Sequence, residues 1–452
     1  VGIARNSWED KMANPLKKIL AILVIGIMAT MASCTEAVRG AKSYAGSFKD
    51  HFAISDQARD MNPDVPGQAY ETQIEGNRQF AFEIYDALTE DNENLIFSPA
   101  SISIAFGMTY AGAEGDAKSE IAEVMRFIPD DSELHGSFNK LDLYLTSLGE
   151  DIPVTDEDPE PFRLQIANSL WGNINNEINP EFLDLLALNY GAGFGQLDFG
   201  GDPSGSADAI NGWIAEQTED RITDALDEGY LNDLTTLLIV NAIYFLASWI
   251  DQFDESATSD QPFYRLSGDE VTVPLMHNRE RYDYFETDEF QAVGIPYGGW
   301  EASMVVILPA EGMFDEVESG LADNWDEITE GFDRREVDLF LPRFEFRTKL
   351  LLKDILNGMG MIAPFSGGLG EMLAGEVLGE TYIAEVIHEA FISVDEEGTE
   401  AAAVTIVLVE TLAAPPVNDE PVVFRADRPF IFAITDTETG SIIFLGRVLN
   451  PV

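Results

Sequence analysis

Few residues in this chain have the chemistry of a catalytic centre. Its 452 residues include four histidines, His51, His135, His277 and His388, and a single cysteine, Cys34. His388-Glu389 begins a metalloprotease-like pattern, but the residue four positions beyond His388 is Ile392, so no second ligand would share its helix face. No Gly-x-Ser-x-Gly turn is present to expose a nucleophilic serine. Gly358-Met359-Gly360-Met361-Ile362-Ala363 has the glycine spacing of a dinucleotide turn, yet it closes a helical stretch where that turn must leave a strand. No enzymatic activity, metal site or cofactor is therefore expected. With catalysis set aside, the stretch around which the rest of the chain is read is the segment from Val394 to Phe424.

That segment opens Val394-Asp395-Glu396-Glu397-Gly398-Thr399-Glu400 and continues Ala401-Ala402-Ala403-Val404-Thr405-Ile406-Val407-Leu408-Val409. Between Glu400 and Glu410 it has no charge, no Pro and no Gly, and β-branched residues dominate its second half, so it is a latent strand. Thr399, Ala401, Ala403 and Thr405 alternate as small side chains that can pass between two existing strands. Pro415 and Pro416 lack a backbone N–H and deny a further ladder, and the polar run to Glu420 reads as an exposed loop. Latent strand and solvent loop stand in tandem.

Elements that position this segment follow from hydrophobic period. Phe80, Ile84 and Leu88 form a helical stripe from Gly76 onward. Asn94 to Phe97 reads as a short buried strand, and Ser98-Pro99 starts the next helix with a capping hydroxyl and a first-turn proline. Strands are expected at Leu164 to Gly172, Leu237 to Phe245, Val271 to Met276, Ala292 to Pro296, Ser303 to Leu308, Val337 to Pro342, Phe344 to Arg347, Phe430 to Ile434 and Ile442 to Val448. Helices are expected at Pro180 to Tyr190, from Ala207 through Ile210, Trp213, Ile214 and on to Ile222 and Leu226, and at Leu352 to Met361. Asn241, inside an apolar central strand, is costly to bury unless hydrogen-bonded.

Two motifs together resemble the serpins. An acidic pair followed by Gly-Thr-Glu-Ala-Ala-Ala, the family's hinge, stands at Glu396, Glu397, Gly398, Thr399, Glu400, Ala401, Ala402 and Ala403, and the family's C-terminal signature stands at Phe424 to Ile434. Asn94 to Met125 is similar to the family's Asn-x-x-x-Ser-Pro-x-Ser segment, and Asn211, Trp213 and Thr218 match a further one. The resemblance, of bacterial or archaeal type, covers roughly residues 70 to 452. It implies an α+β fold with three β-sheets, a large central sheet among them, eight or nine helices and an exposed reactive-centre loop at about 398–423. It further implies a hydrogen-bonded shutter of Ser98, Ser101, Asn241 and His388, and places Trp249 at the top of the main sheet near the hinge. By the usual hinge length the reactive bond is Leu412-Ala413, with Glu410 and Thr411 as neighbouring candidates.

The function so implied is suicide inhibition of a serine-type endopeptidase, with the target protease as a covalent partner. No Arg or Lys lies between Gly398 and Arg425, which disfavours trypsin-like targets and favours chymotrypsin-, elastase- or subtilisin-like ones. Small or apolar inward positions in the hinge speak for an inhibitor. A non-inhibitory serpin with a binding or chaperone role, and a serpin directed at cysteine proteases, are the alternatives.

Composition narrows the partners. Against 81 Asp and Glu stand 26 Lys and Arg, a formal net charge of −55, while 45% of residues are hydrophobic. That is a globular composition with no basic patch for nucleic acid or a heparin-like polyanion. Spread acidity suits a saline-adapted source, where salt screens the repulsion; an acidic face for a basic protease is the alternative. One cysteine excludes an intrachain disulfide. Lys17-Lys18 precede an apolar run from Ile19 to Met31, which ends Met31-Ala32-Ser33-Cys34 and resembles a lipoprotein signal with Cys34 as the lipidation site. Residues 1–11 read as over-extended translation, 12–33 as signal peptide, 34–70 as a tether and 71–452 as the folded domain. A monomer is expected, extracellular or in the cell envelope, secreted or held to the membrane only through lipid.

Overall fold

A computed structural model describes residues 48–89, 92–150, 152, 162–375, 380–399 and 420–452. Ser47–Val452 form one compact unit. Its helices among the described residues are α1 (Gly67–Leu88), α2 (Pro99–Tyr110), α3 (Gly115–Val124), α4 (Asp131–Ser147), α5 (Pro180–Tyr190), α6 (Pro203–Gln217), α7 (Phe314–Ser319), α8 (Leu321–Gly331) and α9 (Lys353–Gly358). Its strands are β1 (Phe52–Ala53), β2 (Leu95–Phe97), β3 (Phe162–Asn173), β4 (Phe194–Leu197), β5 (Leu237–Ser248), β6 (Ser259–Tyr264), β7 (Glu270–Glu286), β8 (Phe290–Pro296) and β9 (Ala302–Pro309). They continue with β10 (Asp333–Pro342), β11 (Phe344–Leu351), β12 (Ile383–Val394), β13 (Gly398–Thr399), β14 (Val422–Arg425), β15 (Phe430–Asp436) and β16 (Ile442–Val448).

The central sheet is seven-stranded, in the order β1-β4-β3-β5-β13-β12-β11. Every residue of β5 is buried, because elements cover both faces of it. That double burial explains its continuous apolar run, which has no alternation for solvent. On one face lies α2, buried along its whole length and started by the Ser98 hydroxyl, which accepts from Ser101 N–H, with Pro99 in the first turn.

A nine-stranded sheet takes the remaining strands, in the order β14-β10-β7-β8-β9-β15-β16-β2, with β6 beside β7. Among the described residues hydrogen bonding thus joins the strands of the three expected sheets into two ladders. The reason is β7, whose 17 residues pair with β6 and β10 before reaching β8 at Asp283–Glu286, so one long strand fuses two smaller sheets.

The expected tether needs correction from Phe48 onward. Phe52–Ala53 add strand β1 to the sheet edge beside β4, and the Phe52 ring lies 4.7 Å from Trp171 and 6.4 Å from Trp213. Arg59 Nη2 meets Asp142 Oδ2 at 2.8 Å, with side chains only 3% and 1% exposed, and Arg59 Nε donates to Asn139 Oδ1. A two-residue strand and polar side-chain anchors leave no hydrophobic period, so the sequence reads as linker what the fold holds as structure. The first helix likewise begins at Gly67, ahead of Gly76.

The helix expected from Ala207 to Leu226 ends at Gln217. Ile222 and Leu226 are buried in the segment after it, where the Thr218 hydroxyl accepts from Ile222 N–H and Asn211 bonds both backbone groups of Leu226.

Removing Arg59 leaves Asp142 buried without its guanidinium. Arg59→Ala is expected to cost about 3–5 kcal/mol, measured by denaturant unfolding, and a loss under 1 kcal/mol would show that the N-terminal segment is dispensable.

Candidate functional site

The site begins at the seam between β5 and β12. These strands pair in parallel from Ile383↔Leu237 to Ala390↔Ile243, whereas β3 pairs with β5, and β11 with β12, in antiparallel fashion. Parallel pairing is slightly weaker per residue, and although the short β4 also pairs with β3 in parallel, β5–β12 is the softer of the joints among the long strands at the sheet's centre.

Across that joint His388 and Asn241 stand opposite each other. The His388 Nε2 accepts from Ser98 N–H at 3.1 Å, which leaves the ring proton on Nδ1, directed at Asn241 Oδ1. Asn241 Nδ2 donates to Ser101 Oγ at 2.6 Å and also to Asn168 Oδ1. Ser101 Oγ closes the circuit to Asn168 Oδ1 at 3.2 Å, and Asn168 Nδ2 returns a bond to Ser101 C=O. The structure therefore brings Ser98, Ser101, Asn241 and His388 into one dry network, each at most 1% exposed. Asn168 belongs to it and was not singled out from the sequence. The signal was there, since an Asn amid apolar β3 carries the same burial penalty as Asn241.

Burial pushes the His388 imidazole down to about 3 and the His135 imidazole, bonded to Tyr190 OH, down to about 4. Both stay neutral in the fold while their unfolded counterparts protonate near 6.5.

Above the shutter, β5 and β12 separate and Gly398–Thr399 fill the gap as β13. Gly398 lies opposite Ser248 and Thr399 opposite Ala247 on β5, and Thr399 also pairs with Val394 on β12, antiparallel on both sides. The reactive-centre loop, expected exposed from 398, thus has its first two residues already inside the sheet, with Thr399 1% exposed. The small size of both residues permits it: a Cβ on Gly398 would stand 2.1 Å from Ala247 O. The Thr399 hydroxyl bonds Tyr297 OH at 2.6 Å, and the Tyr297 ring stacks on Trp249 at 4.5 Å.

The chain approaching the hinge is fixed on all sides. Trp249 Nε1 donates to Asp395 C=O, Trp249 N–H to Glu397 C=O, and Phe253 N–H to Glu396 C=O. Asp395 Oδ1 accepts from Glu397 and Gly398 N–H. The Glu396 carboxylate receives Arg343 Nη2 at 2.6 Å and the Thr258 hydroxyl. Burial pushes its pKa upward, but Arg343 and Thr258 outweigh that and hold it below the ordinary value. Arg343, Thr258 and Tyr297 had no signal in the sequence, being distant along the chain and local to no motif. Cys34, Glu400, Ala401, Ala402, Ala403, Glu410, Thr411, Leu412 and Ala413 lie outside the described residues.

Comparison with known proteins agrees on one family. Residues 75–451 match the family model Serpin (serine protease inhibitor). An uncharacterized serpin-like protein of Thermococcus kodakarensis is 39% identical over 379 residues, 82% of this chain and 84% of that protein. The human leukocyte elastase inhibitor is 31% identical, over 83% of this chain and 98% of its own. Among solved structures, the thermophilic serpin Tengpin in its native state superposes with a TM-score of 0.72 at 27% identity, over 88% of this chain and 97% of that one.

The two buried histidines bind fewer protons folded than unfolded, so their contribution to stability is lost as pH falls from about 6.5 toward about 4. Unfolding free energy is expected to drop by up to about 1.4 kcal/mol per pH unit for each histidine. Denaturant midpoints at pH 7.5, 6.5 and 5.5 check this, and a flat profile would refute the neutral pair.

Proposed function

This chain belongs to the serpin family, and we propose that it is a serine-type endopeptidase inhibitor acting as a suicide substrate by loop insertion. The observation that carries the reading is β13. The hinge already occupies the top of the seam in the antiparallel sense that an inserted strand would need, and the seam below it is the parallel β5–β12 pair.

A strand inserted in the register of β13 would set Ala401 opposite Phe245 and Ile392, Ala403 opposite Ile243 and Ala390, and Thr405 opposite Asn241 and His388. The side chains that would enter the packed core are thus small, and the one that would meet the shutter carries a hydroxyl. A threonine there can take over bonds that the parting pair gives up, which avoids stranding buried polar groups. Val407 follows on the same face, and burying it fully adds about 1.5–3 kcal/mol.

In the proposed reaction the protease's nucleophile attacks the Leu412 carbonyl. The Leu412-Ala413 bond breaks, the Ala413 amine leaves with a proton, and an ester joins Leu412 to the enzyme. The freed strand then inserts, drawing the tethered enzyme along and distorting its catalytic site. New ladder bonds and apolar burial supply the driving force. The targets are chymotrypsin-, elastase- or subtilisin-like enzymes, since the loop offers no cation; among the relatives, one is named an inhibitor of leukocyte elastase. Attachment to the cell envelope through Cys34 is part of the same proposal.

Incubation in high salt with chymotrypsin, elastase, subtilisin and trypsin, followed by a denaturing gel and intact mass, tests the reading. A complex of summed mass that survives denaturation is expected, with a released peptide beginning at Ala413. Loop cleavage with neither complex nor gain in thermal stability would select a non-inhibitory role, and trapping of cysteine proteases alone would move the target class.

Thr399→Arg is expected to turn inhibitor into substrate, because the site now holding a 1% exposed hydroxyl against Tyr297 has no room for a guanidinium. Undiminished trapping by that variant would sink the insertion mechanism. Leu412→Arg should shift preference toward trypsin-like enzymes, and an unaltered target profile would relocate the reactive bond.

A further inference from the structure

Away from hinge and shutter, α3, α4, α5 and the N-terminal segment at Gln57 line a cavity of about 570 Å³, a size that suits a small molecule. On α5 its lining is Asp184, Leu185, Leu188 and Asn189, whose spacing puts them on one face of the helix. Lys118 of α3 and Asp131 and His135 of α4 line it as well.

His135 is the residue that gives this space a chemistry. It is 4% exposed, and its Nδ1 lies 2.7 Å from the hydroxyl of Tyr190, which is 2% exposed. Its Nε2 meets no partner among the described residues, yet it is not among the sealed, unsatisfied atoms of the interior, so the cavity is what it opens to. Burial keeps the ring neutral, and a neutral imidazole has one donor and one acceptor nitrogen. Donation of Nδ1–H to the Tyr190 oxygen makes Nε2 the acceptor.

The other open atoms of the lining are acceptors too. Asp184 Oδ1 takes the Ser55 hydroxyl, and its Oδ2 has no partner among the described residues. Asn189 directs its Nδ2 to Leu185 C=O at 3.2 Å, and among the described residues nothing meets its Oδ1. The cation of the lining is neutralised where it stands: Lys118 Nζ lies 2.6 Å from Asp131 Oδ2, and Asp131 Oδ1 takes the Tyr110 hydroxyl at 3.0 Å. An anion therefore finds no unpaired cation here. A cation finds an unpaired carboxylate oxygen, in a chain whose net charge of −55 draws cations toward it.

We propose that this cavity binds a small organic ammonium ion, which donates to Asp184 Oδ2, Asn189 Oδ1 and His135 Nε2 while its aliphatic stem lies on Leu185 and Leu188. Three acceptors equal in number the three N–H groups of a primary ammonium. No residue of the hinge or shutter lines the cavity, so the site stands apart from the loop-insertion reading.

Titration of the intact chain in high salt with isoamylamine, isoamyl alcohol and isocaproate, read by calorimetry and by the His135 ring signals in NMR, tests the site. The amine is expected to saturate with a Kd of about 1–10 mM, as suits so small a ligand, and to shift the Nε2 resonance. It should bind at least about tenfold more tightly than the alcohol or the acid, since only it makes charged hydrogen bonds to these acceptors. Asp184 is exposed, so Asp184→Asn spares the core, and it should weaken the amine about tenfold or more. Glu181→Gln, which removes a carboxylate of α5 outside this cavity, should leave the affinity as in the parent. Equal affinity for alcohol and amine, tighter binding of the acid, or parental affinity in Asp184→Asn would each overturn the assignment. So would absence of saturation up to about 50 mM amine, well above the range a filled site of this size requires.

Discussion

The contact from His388 to Asn241 across β5 and β12 is the constraint on which the rest depends. Two polar side chains sit in a dry core, on adjacent parallel strands, and each satisfies the other. Unpaired, either group would cost the full penalty of a buried polar atom. The pair therefore holds the seam together, and in the proposed insertion the entering strand would have to bring a substitute partner. Ser98, Ser101 and Asn168 extend the same logic to the helix beneath, coupling the position of α2 to the state of the sheet.

The described part of the hinge, Gly398 and Thr399, sits at the top of this seam. Trp249 and Phe253 hold the backbone of Asp395 to Glu397 at the top of the sheet, and the Arg343–Glu396 pair fixes the last turn before Gly398. Gly398 and Thr399 then occupy space that larger residues could not, between strands held further down by the shutter. The β5–β12 ladder begins again only at Ala390↔Ile243, several residues below the Gly398–Thr399 pairing. The sheet thus holds two residues of the hinge above an intact β5–β12 joint.

Charge acts on this arrangement at two levels. The −55 net charge acts over the whole surface and is weakened by salt. Two of the scarce cations near the seam meet carboxylates there, Arg343 on Glu396 and Arg347 on Asp224 and Glu389; the two glutamates are buried, whereas Asp224 and both guanidiniums are open to solvent and its salt. A protein so short of cations places these two beside carboxylates of the hinge and of β12.

Much of the fold was legible in the sequence where a single physical signal dominated. Pro180 to Tyr190, with its Asn179 cap, and Ile442 to Val448 stand at their expected bounds because capping and apolar period are local properties. Of the segment from Val394 on, read as a latent strand, Gly398 and Thr399 stand in β13, and Asn241 is partnered as the cost of burying it required. Only the tertiary structure decided what those features meet. It placed Asn168 in the shutter and Tyr297 against Thr399, made strand and anchor out of an apparent tether, and carried Asp224 across the sheet to Arg347. Each of these joins residues remote in the chain through one or two polar bonds. Periodicity records which face of an element is buried, but it holds no record of which distant donor lies opposite.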